Sequence, residues 1–321
     1  TPGMLKAMMN AEVGDDVFRE DPTVNAFQER VAKLFGHDAA LFCPSGTMTN
    51  QIAIKTHTQP GEEMICAKDA HVYRYEGGDP AFNSGISVFP LDADRGQFDA
   101  RAVEEAITPN DIHKPQTRLV TIENTSNHGG GSCWSLDNIR EIRAVCDTHD
   151  LKLHLDGARL FNALVARDET PEVYGQLFDS ISICFSKGLG IPAGSVLIGD
   201  QDYIEKAYRY RKVMGGGMRQ GGYLAAAGNY ALDFHVERMT EDHRRAKKLE
   251  EVIKELDYVE AVMPVETNIV VGELKPVISV QDFLAQMHAN GVKAVPFGGQ
   301  KFRMVTHLDI DDEQIEHTVE A

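Results

Sequence analysis

The stretch Ile181-Ser182-Ile183-Cys184-Phe185-Ser186-Lys187-Gly188-Leu189-Gly190 decides how the rest of the chain is read. Its first five residues are a short β-like run, which then breaks into a lysine set among a serine and glycines. In open α/β sheets, ligands bind at such carboxyl ends of strands. A lysine there can lose its proton through desolvation and form a Schiff base with an aldehyde, and the glycines leave room for a planar ligand. Taken alone, Ser186 to Gly190 reads more readily as a solvated loop.

Outward from this stretch, further strands are predicted at Met64 to Cys66, Ile86 to Phe89, Leu119 to Ile122, Leu151 to Leu155 and Ser195 to Ile198. Several are apolar on both faces, as strands covered by helices on each side are. Helical patterns lie between them. Val24, Phe27, Val31 and Leu34 recur at three- and four-residue steps after the start signal Asp21-Pro22 and before the stop Gly36. Asp137 to His149 and Asp202 to Met214 read similarly. This alternation predicts an α/β fold with a mostly parallel sheet. A long helix from Gly222 to about Leu256 is expected to lead into a smaller unit with strands at Asn268 to Val271, Val292 to Pro296 and Phe302 to Val305.

A length of 321 residues fits roughly two compact units. The formal charge of −17 would repel a phosphate backbone, so nucleic acid is not an expected partner. No apolar run reaches the roughly 20 residues of a membrane span, and the opening residues do not read as a signal peptide. Five scattered cysteines without a C-x-x-C spacing argue against a disulfide scaffold and a structural zinc site. A cytoplasmic enzyme or binding protein without a metal is expected.

Two other motifs carry chemistry. In Leu151-Lys152-Leu153-His154-Leu155-Asp156-Gly157-Ala158-Arg159, a carboxylate ends an apolar strand and can hold a proton on a pyridine nitrogen. An N-cap or an ion pair with Arg159 explains Asp156 equally well. His154 shares its strand face and reads as a packing neighbour rather than a base. Pro44-Ser45-Gly46-Thr47-Met48-Thr49-Asn50 opens a helix whose free N–H groups suit a phosphate, although plain capping explains it more simply.

A phosphate cup, a strand-end aspartate and a strand-end lysine, in that order, match the chain order of a pyridoxal-phosphate enzyme. The string Gly14-Asp15-Asp16-Val17-Phe18-Arg19-Glu20-Asp21-Pro22-Thr23 resembles the opening motif of the low-specificity L-threonine aldolase family. Also similar, in order, are Ser45 to Met48, Ala70-His71 with Glu76-Gly77-Gly78, Glu123-Asn124-Thr125, His154 to Arg159, Phe185 to Gly190, Gly215 to Gln220 and Arg303 to His307.

The resemblance implies the fold of the aspartate-aminotransferase class, with a large cofactor domain over residues 21–237. A small domain would be built from both chain ends, 1–20 and 238–321. It implies pyridoxal 5'-phosphate as cofactor, a homodimer or homotetramer with shared active sites, and cleavage of L-threonine or L-allo-threonine to glycine and an aldehyde. It makes Lys187 the covalent anchor, beside Ser186, and Asp156 the partner of the ring nitrogen. Ser45, Gly46 and Thr47 would meet the phosphate, and His71 would stack on the ring near the substrate hydroxyl. Arg159, at the cofactor, and Arg303 would grip the substrate carboxylate, and Arg219 would reach the phosphate of a neighbouring subunit.

Two departures stand out. Ser126 replaces a family histidine, for which His128 is the expected stand-in, and Phe18 replaces a tyrosine. A short serine hydroxyl would hold the β-hydroxyl loosely, so both L-epimers are expected as substrates. Alternatives on the same scaffold are a phenylserine-type aldolase and a β-eliminating lyase. An amino-acid-sensing regulatory domain is the alternative outside catalysis.

Overall fold

A computed structural model describes residues 1–321 and divides their strands between two sheets. The larger has seven strands: β1 (Ala39–Cys43), β2 (Glu62–Ala67), β3 (Ser87–Leu91), β4 (Gln116–Glu123), β5 (Lys152–Gly157), β6 (Ser180–Cys184) and β7 (Ser195–Gly199). Their order is β1-β7-β6-β5-β4-β2-β3. From β6 to β3 all neighbours are parallel, and β7 alone runs against both of its neighbours. The predicted mostly parallel α/β sheet is therefore the fold observed. Every residue of β6 is buried, as a strand covered on both faces requires.

The smaller sheet is antiparallel, in the order β10-β11-β9-β8. It comprises β8 (Val259–Val262), β9 (Ile269–Leu274), β10 (Val295–Pro296) and β11 (Lys301–Val305). It has its own core, in which Leu249, Val270, Phe283 and Phe302 meet.

Three expectations need correction. The segment Ala39–Cys43, whose Ala39-Ala40 start carries little strand propensity, is a strand at the edge of the sheet paired with β7. The long helix from Gly222 is two helices, Gly222–Phe234 and Met239–Lys254. Between them the chain leaves helical geometry at His235, whose Nδ1–H donates to the Leu189 carbonyl at 2.7 Å. Residues 1–20, expected in the small unit, pack on the large one. Met4, in the helix Pro2–Met9, is 2% exposed and belongs to the main core, and Gly3 lies so close to Tyr230 that a Cβ would overlap its hydroxyl.

The opening motif is fixed to the large unit by buried polar groups. Asp21 accepts from Val24 N–H at 2.9 Å as a helix cap, and from Gly222 N–H at 2.9 Å across the fold. Asp16 pairs with Arg211 at 2.9 Å, both nearly dry, and Arg211 donates to the Phe42 carbonyl at 2.6 Å. The ring of Phe185, one residue before Ser186-Lys187, is held edge-on by Phe27 at 5.0 Å.

Arg211→Met would leave the Asp16 charge buried without its partner. We expect a loss of about 3–5 kcal/mol, read as a lower urea midpoint at an unchanged slope. A loss below about 1 kcal/mol would show that the pair does not hold the opening motif down.

Candidate active site

Parallel register at the centre of the large sheet sets Glu123 and Asp156, at the carboxyl ends of β4 and β5, in one row with Ser182 in the middle of β6. Thr121, His154 and Ser180 form the row beneath. The helix Gly46–His57 lies over both rows. Thr49 bonds to Ser182 at 2.6 Å, Asn50 donates to Asp156 at 3.0 Å, and His57 meets the Ser180 hydroxyl at 2.8 Å. This explains why Thr49, Asn50 and Gln51 are polar and yet buried. Gly46 has no room for a side chain, because a Cβ would stand 2.3 Å from Cys184 Sγ. Only glycine lets the helix start rest on the strand that leads to Lys187.

Asn50 is the junction of the pocket. Its Nδ2 donates to both Asp156 and Glu76, each at 3.0 Å, which leaves Oδ1 to accept from His154 Nε2–H at 3.3 Å. His154 Nδ1 then accepts from the Ser180 hydroxyl at 2.8 Å. Burial pushes this imidazole down to about 3, so it is neutral and matches its expected packing role. Glu76 also takes hydrogen bonds from Gln51 at 2.5 Å and His71 Nδ1 at 3.0 Å. Burial pushes the Glu76 carboxyl up, and the hydrogen bond to Glu76 raises His71 above the ordinary histidine range. Glu123 accepts from two main-chain N–H groups, those of His71 and Asn127, each at 2.8 Å. Burial, aided by the Asp156 charge, raises it to about 7.

A second cluster is basic. Arg159 precedes the helix Leu160–Arg167, and Arg303 lies in β11. Both direct Nη1 at the Asn127 amide oxygen, at 3.3 and 2.9 Å, and neither meets a carboxylate. Burial pushes both guanidiniums below the usual arginine range, and at Arg159 the Arg303 charge adds to the effect. Arg303 Nε is buried without a partner. Two neighbouring guanidiniums without an acid form a receptor for a carboxylate.

Beside them opens a cleft of about 540 Å³ lined by His71, Tyr75, His128, Phe297 and Arg303 among others. His128 is stacked between Tyr75 and Phe297, with ring centres 4.7 Å from each. Ser126, expected near the substrate, is turned away. Its Oγ accepts from Gly129 N–H at 3.2 Å and packs on Gly96, where a Cβ would come within 2.0 Å of it. The loop needs a small capping residue there, so the cleft histidine in this segment is His128.

Ser45 caps its helix by accepting from Met48 N–H at 3.2 Å, and the N–H groups of Gly46 and Thr47 have no acceptor in the chain. Ser186 is exposed beside Lys187, whose ammonium has no hydrogen-bond or ion-pair partner. Arg219 pairs with Asp15 and lies over the Phe18 ring at 5.9 Å, apart from the residues above. Free N–H groups at a helix start, a buried carboxylate without a cation at Asp156 and an uncommitted amine at Lys187 suit the phosphate, ring nitrogen and aldehyde of pyridoxal phosphate. Asn50, Gln51 and Asn127 escaped the sequence reading. A run of three polar residues in one helical turn was the available signal for the first two.

Comparison with known proteins shows the family and the fold. A family model described as beta-eliminating lyase matches residues 1–275. The low specificity L-threonine aldolase of Escherichia coli (strain K12) is 42% identical over 316 residues, covering 97% of this chain and 92% of its own. The low-specificity L-threonine aldolase 1 of Arabidopsis thaliana is 36% identical, covering 99% and 91%. Among solved structures, a threonine aldolase of Leishmania major aligns with a TM-score of 0.86 at 22% identity, over all of this chain and 94% of its own. An aspartate aminotransferase of Rhizobium meliloti aligns at 0.73 with 17% identity, over all of this chain and 86% of its own. The fold is thus that of the aspartate-aminotransferase class. Within it, the chain belongs to the beta-eliminating lyase family.

The Glu123 shift sets a pH dependence. Its folded value lies above the ordinary 4.5, so the folded protein keeps a proton that the unfolded chain releases. Its contribution therefore declines as pH rises from 4.5 to about 7. Glu123→Gln removes that decline. Between those limits the variant should gain on wild type by as much as about 3 kcal/mol in urea unfolding. A constant difference at all pH values would show that Glu123 is not held protonated.

Proposed function

We propose that this protein is a pyridoxal-phosphate-dependent aldolase that cleaves L-threonine and related 3-hydroxy amino acids into glycine and an aldehyde. The observation that carries the reading is the pair of acid-free guanidiniums, Arg159 and Arg303, beside a histidine tied to a buried carboxylate. The curated relatives named above supply the reaction class.

Bound pyridoxal phosphate supplies an electron sink for the pair left on Cα when the Cα–Cβ bond breaks. The residues of the chain do the rest. Lys187 would hold the cofactor through its aldehyde, and Asp156, fixed as an acceptor by Asn50 and by Ala158 N–H at 3.1 Å, would face the ring nitrogen and favour its protonated form. Ser45, Gly46, Thr47 and Ser186 would receive the phosphate. Arg159 and Arg303 grip the substrate carboxylate and so orient the bond to be broken. His71 gives its Nδ1–H to Glu76, which leaves Nε2 open to take the β-hydroxyl proton, and Glu76 stabilises the imidazolium that results. His128, wedged between two rings, shapes the wall against which the aldehyde portion rests.

The assembly we favour is a homodimer or a pair of dimers, with Arg219 and the Gly215–Gly217 loop completing a neighbour's phosphate site. The exposed Phe18 and Val213, 67% and 83% accessible, lie on that face and support it. No helix is long and apolar enough to cross a membrane, and we place the enzyme in the cytoplasm.

With L-threonine and added pyridoxal phosphate, the protein should release glycine and acetaldehyde in equal amounts. Release of 2-oxobutyrate and ammonia instead would replace this reading with β-elimination, the reaction that the family description names. Lys187→Ala should lose the visible absorbance of bound cofactor and at least about a thousandfold in turnover. Retention of both would remove Lys187 from its role.

A further inference from the structure

The turn Asp94-Arg95-Gly96-Gln97 lies outside the cleft, yet it is tied to both sides of the carboxylate receptor. Asp94 and Gln97 exchange main-chain hydrogen bonds at 3.1 and 2.9 Å, so Arg95 and Gly96 are the two central residues of a tight hairpin turn. Both have positive φ, +51° and +82°. Such a turn favours glycine, asparagine or aspartate at its first central position. An arginine held there is strained, and strain of this kind persists where the surroundings over-determine it.

The surroundings do so here. Arg95 commits its guanidinium in three directions: Nε to the Gly129 carbonyl at 3.0 Å, Nη1 to Glu266 at 2.8 Å and Nη2 to the Pro264 carbonyl at 2.8 Å. Its own carbonyl accepts from the Ser132 hydroxyl at 2.7 Å. Gly96 has no space for a Cβ against the Ser126 side chain, and Gly129 none against the Arg95 carbonyl, so the turn and the loop 126–132 are in close contact. Glu266 is shared further, accepting from Arg167 at 2.7 Å and from Cys133 N–H at 3.2 Å.

One side of this junction is the loop that presents Asn127 and His128. The other is the segment that enters β9, and β9 pairs Val271 with Arg303 of β11. Arg303 in turn reaches Asn127. The large and small units therefore meet directly at Asn127–Arg303 and, behind it, at Arg95, at Glu266 and at Thr267, whose hydroxyl donates to the Gly131 carbonyl at 2.9 Å.

We infer that Arg95 is a positioning residue for substrate binding: it sets the distance between the Asn127–His128 loop and Arg303, and so the width of the carboxylate grip. This rests on reading Arg159 and Arg303 as that grip. A lysine cannot replace it, because one ammonium cannot follow three diverging acceptors.

The test uses the full chain loaded with pyridoxal phosphate, titrated with glycine and with glycinamide, which keeps the amine and lacks the carboxylate. Binding is followed by the change in cofactor absorbance. In Arg95→Ala the Kd for glycine should rise roughly tenfold or more while that for glycinamide stays as in wild type. Arg95→Lys should lose nearly as much. Backbone hydrogen exchange of residues 126–132, measured without cofactor, should quicken in both variants. Equal weakening of the two ligands would reveal general damage and overturn the inference, as would unchanged glycine binding. If wild type responds to neither ligand, the aldolase reading has failed, and the exchange measurement alone decides. Unaltered exchange in Arg95→Ala then refutes the positioning role.

Discussion

The carboxyl edge of the large sheet is organised around keeping three carboxylates, Glu76, Glu123 and Asp156, out of water in one pocket. Burying even one such charge without compensation is costly, and like charges add to the penalty. The chain answers with neutral donors: the amides of Asn50 and Gln51 and the main-chain N–H groups of His71, Asn127 and Ala158. His71 is the one basic side chain bonded to the acids. Because no arginine is used to neutralise them, Arg159 and Arg303 stay available for an anion from outside. Asn127 keeps the two sets apart, giving its N–H to Glu123 and its amide oxygen to the arginines. The pocket thus has an acidic floor and a basic rim.

Much of this was legible in the sequence. Strand-ending polar residues after buried runs made Asp156 and Lys187 visible, because period-two patterning and glycine punctuation are local properties. The helix after Ser45 was visible for the same reason. What escaped depends on contacts between segments far apart in the chain. Nothing in the neighbourhood of Asn50 says that its amide will face Asp156, 106 residues on. Ser126 looked like a weakened histidine position because the motif aligned it with one; only the close approach of Gly96 shows why a small residue caps that loop. The helix break at His235 likewise needed the Leu189 carbonyl, which no periodicity reports. The N-terminal helix was misplaced because its one deeply buried residue, Met4, finds its partners in the helix Gly222–Phe234 and not nearby.

The opening motif shows how residues remote from any chemistry enter a motif. Asp16 holds Arg211, and Arg211 holds the carbonyl of Phe42, next to the last residue of β1. The loop Pro44-Ser45 and the helix start follow directly. Gly216 packs against Met48 so tightly that a Cβ would meet its sulfur at 2.3 Å. Two glycine-bearing segments and a buried ion pair thus brace the place where the free N–H groups are displayed.

The antiparallel partnership of β1 with β7 has a consequence for the order in which the molecule is assembled. Cys43 lies opposite Ser195, so about 150 residues must leave the ribosome before the first strand has anything to pair with, a long loop to close by any measure. The helix that bears Gly46 and Thr47 is tethered directly to that strand. Until β7 emerges, the nascent chain therefore carries an apolar strand and an unseated helix without a sheet edge to receive them. The helix start proposed to receive the cofactor phosphate, although it precedes β7 by about 150 residues, is among the last parts to be put in place.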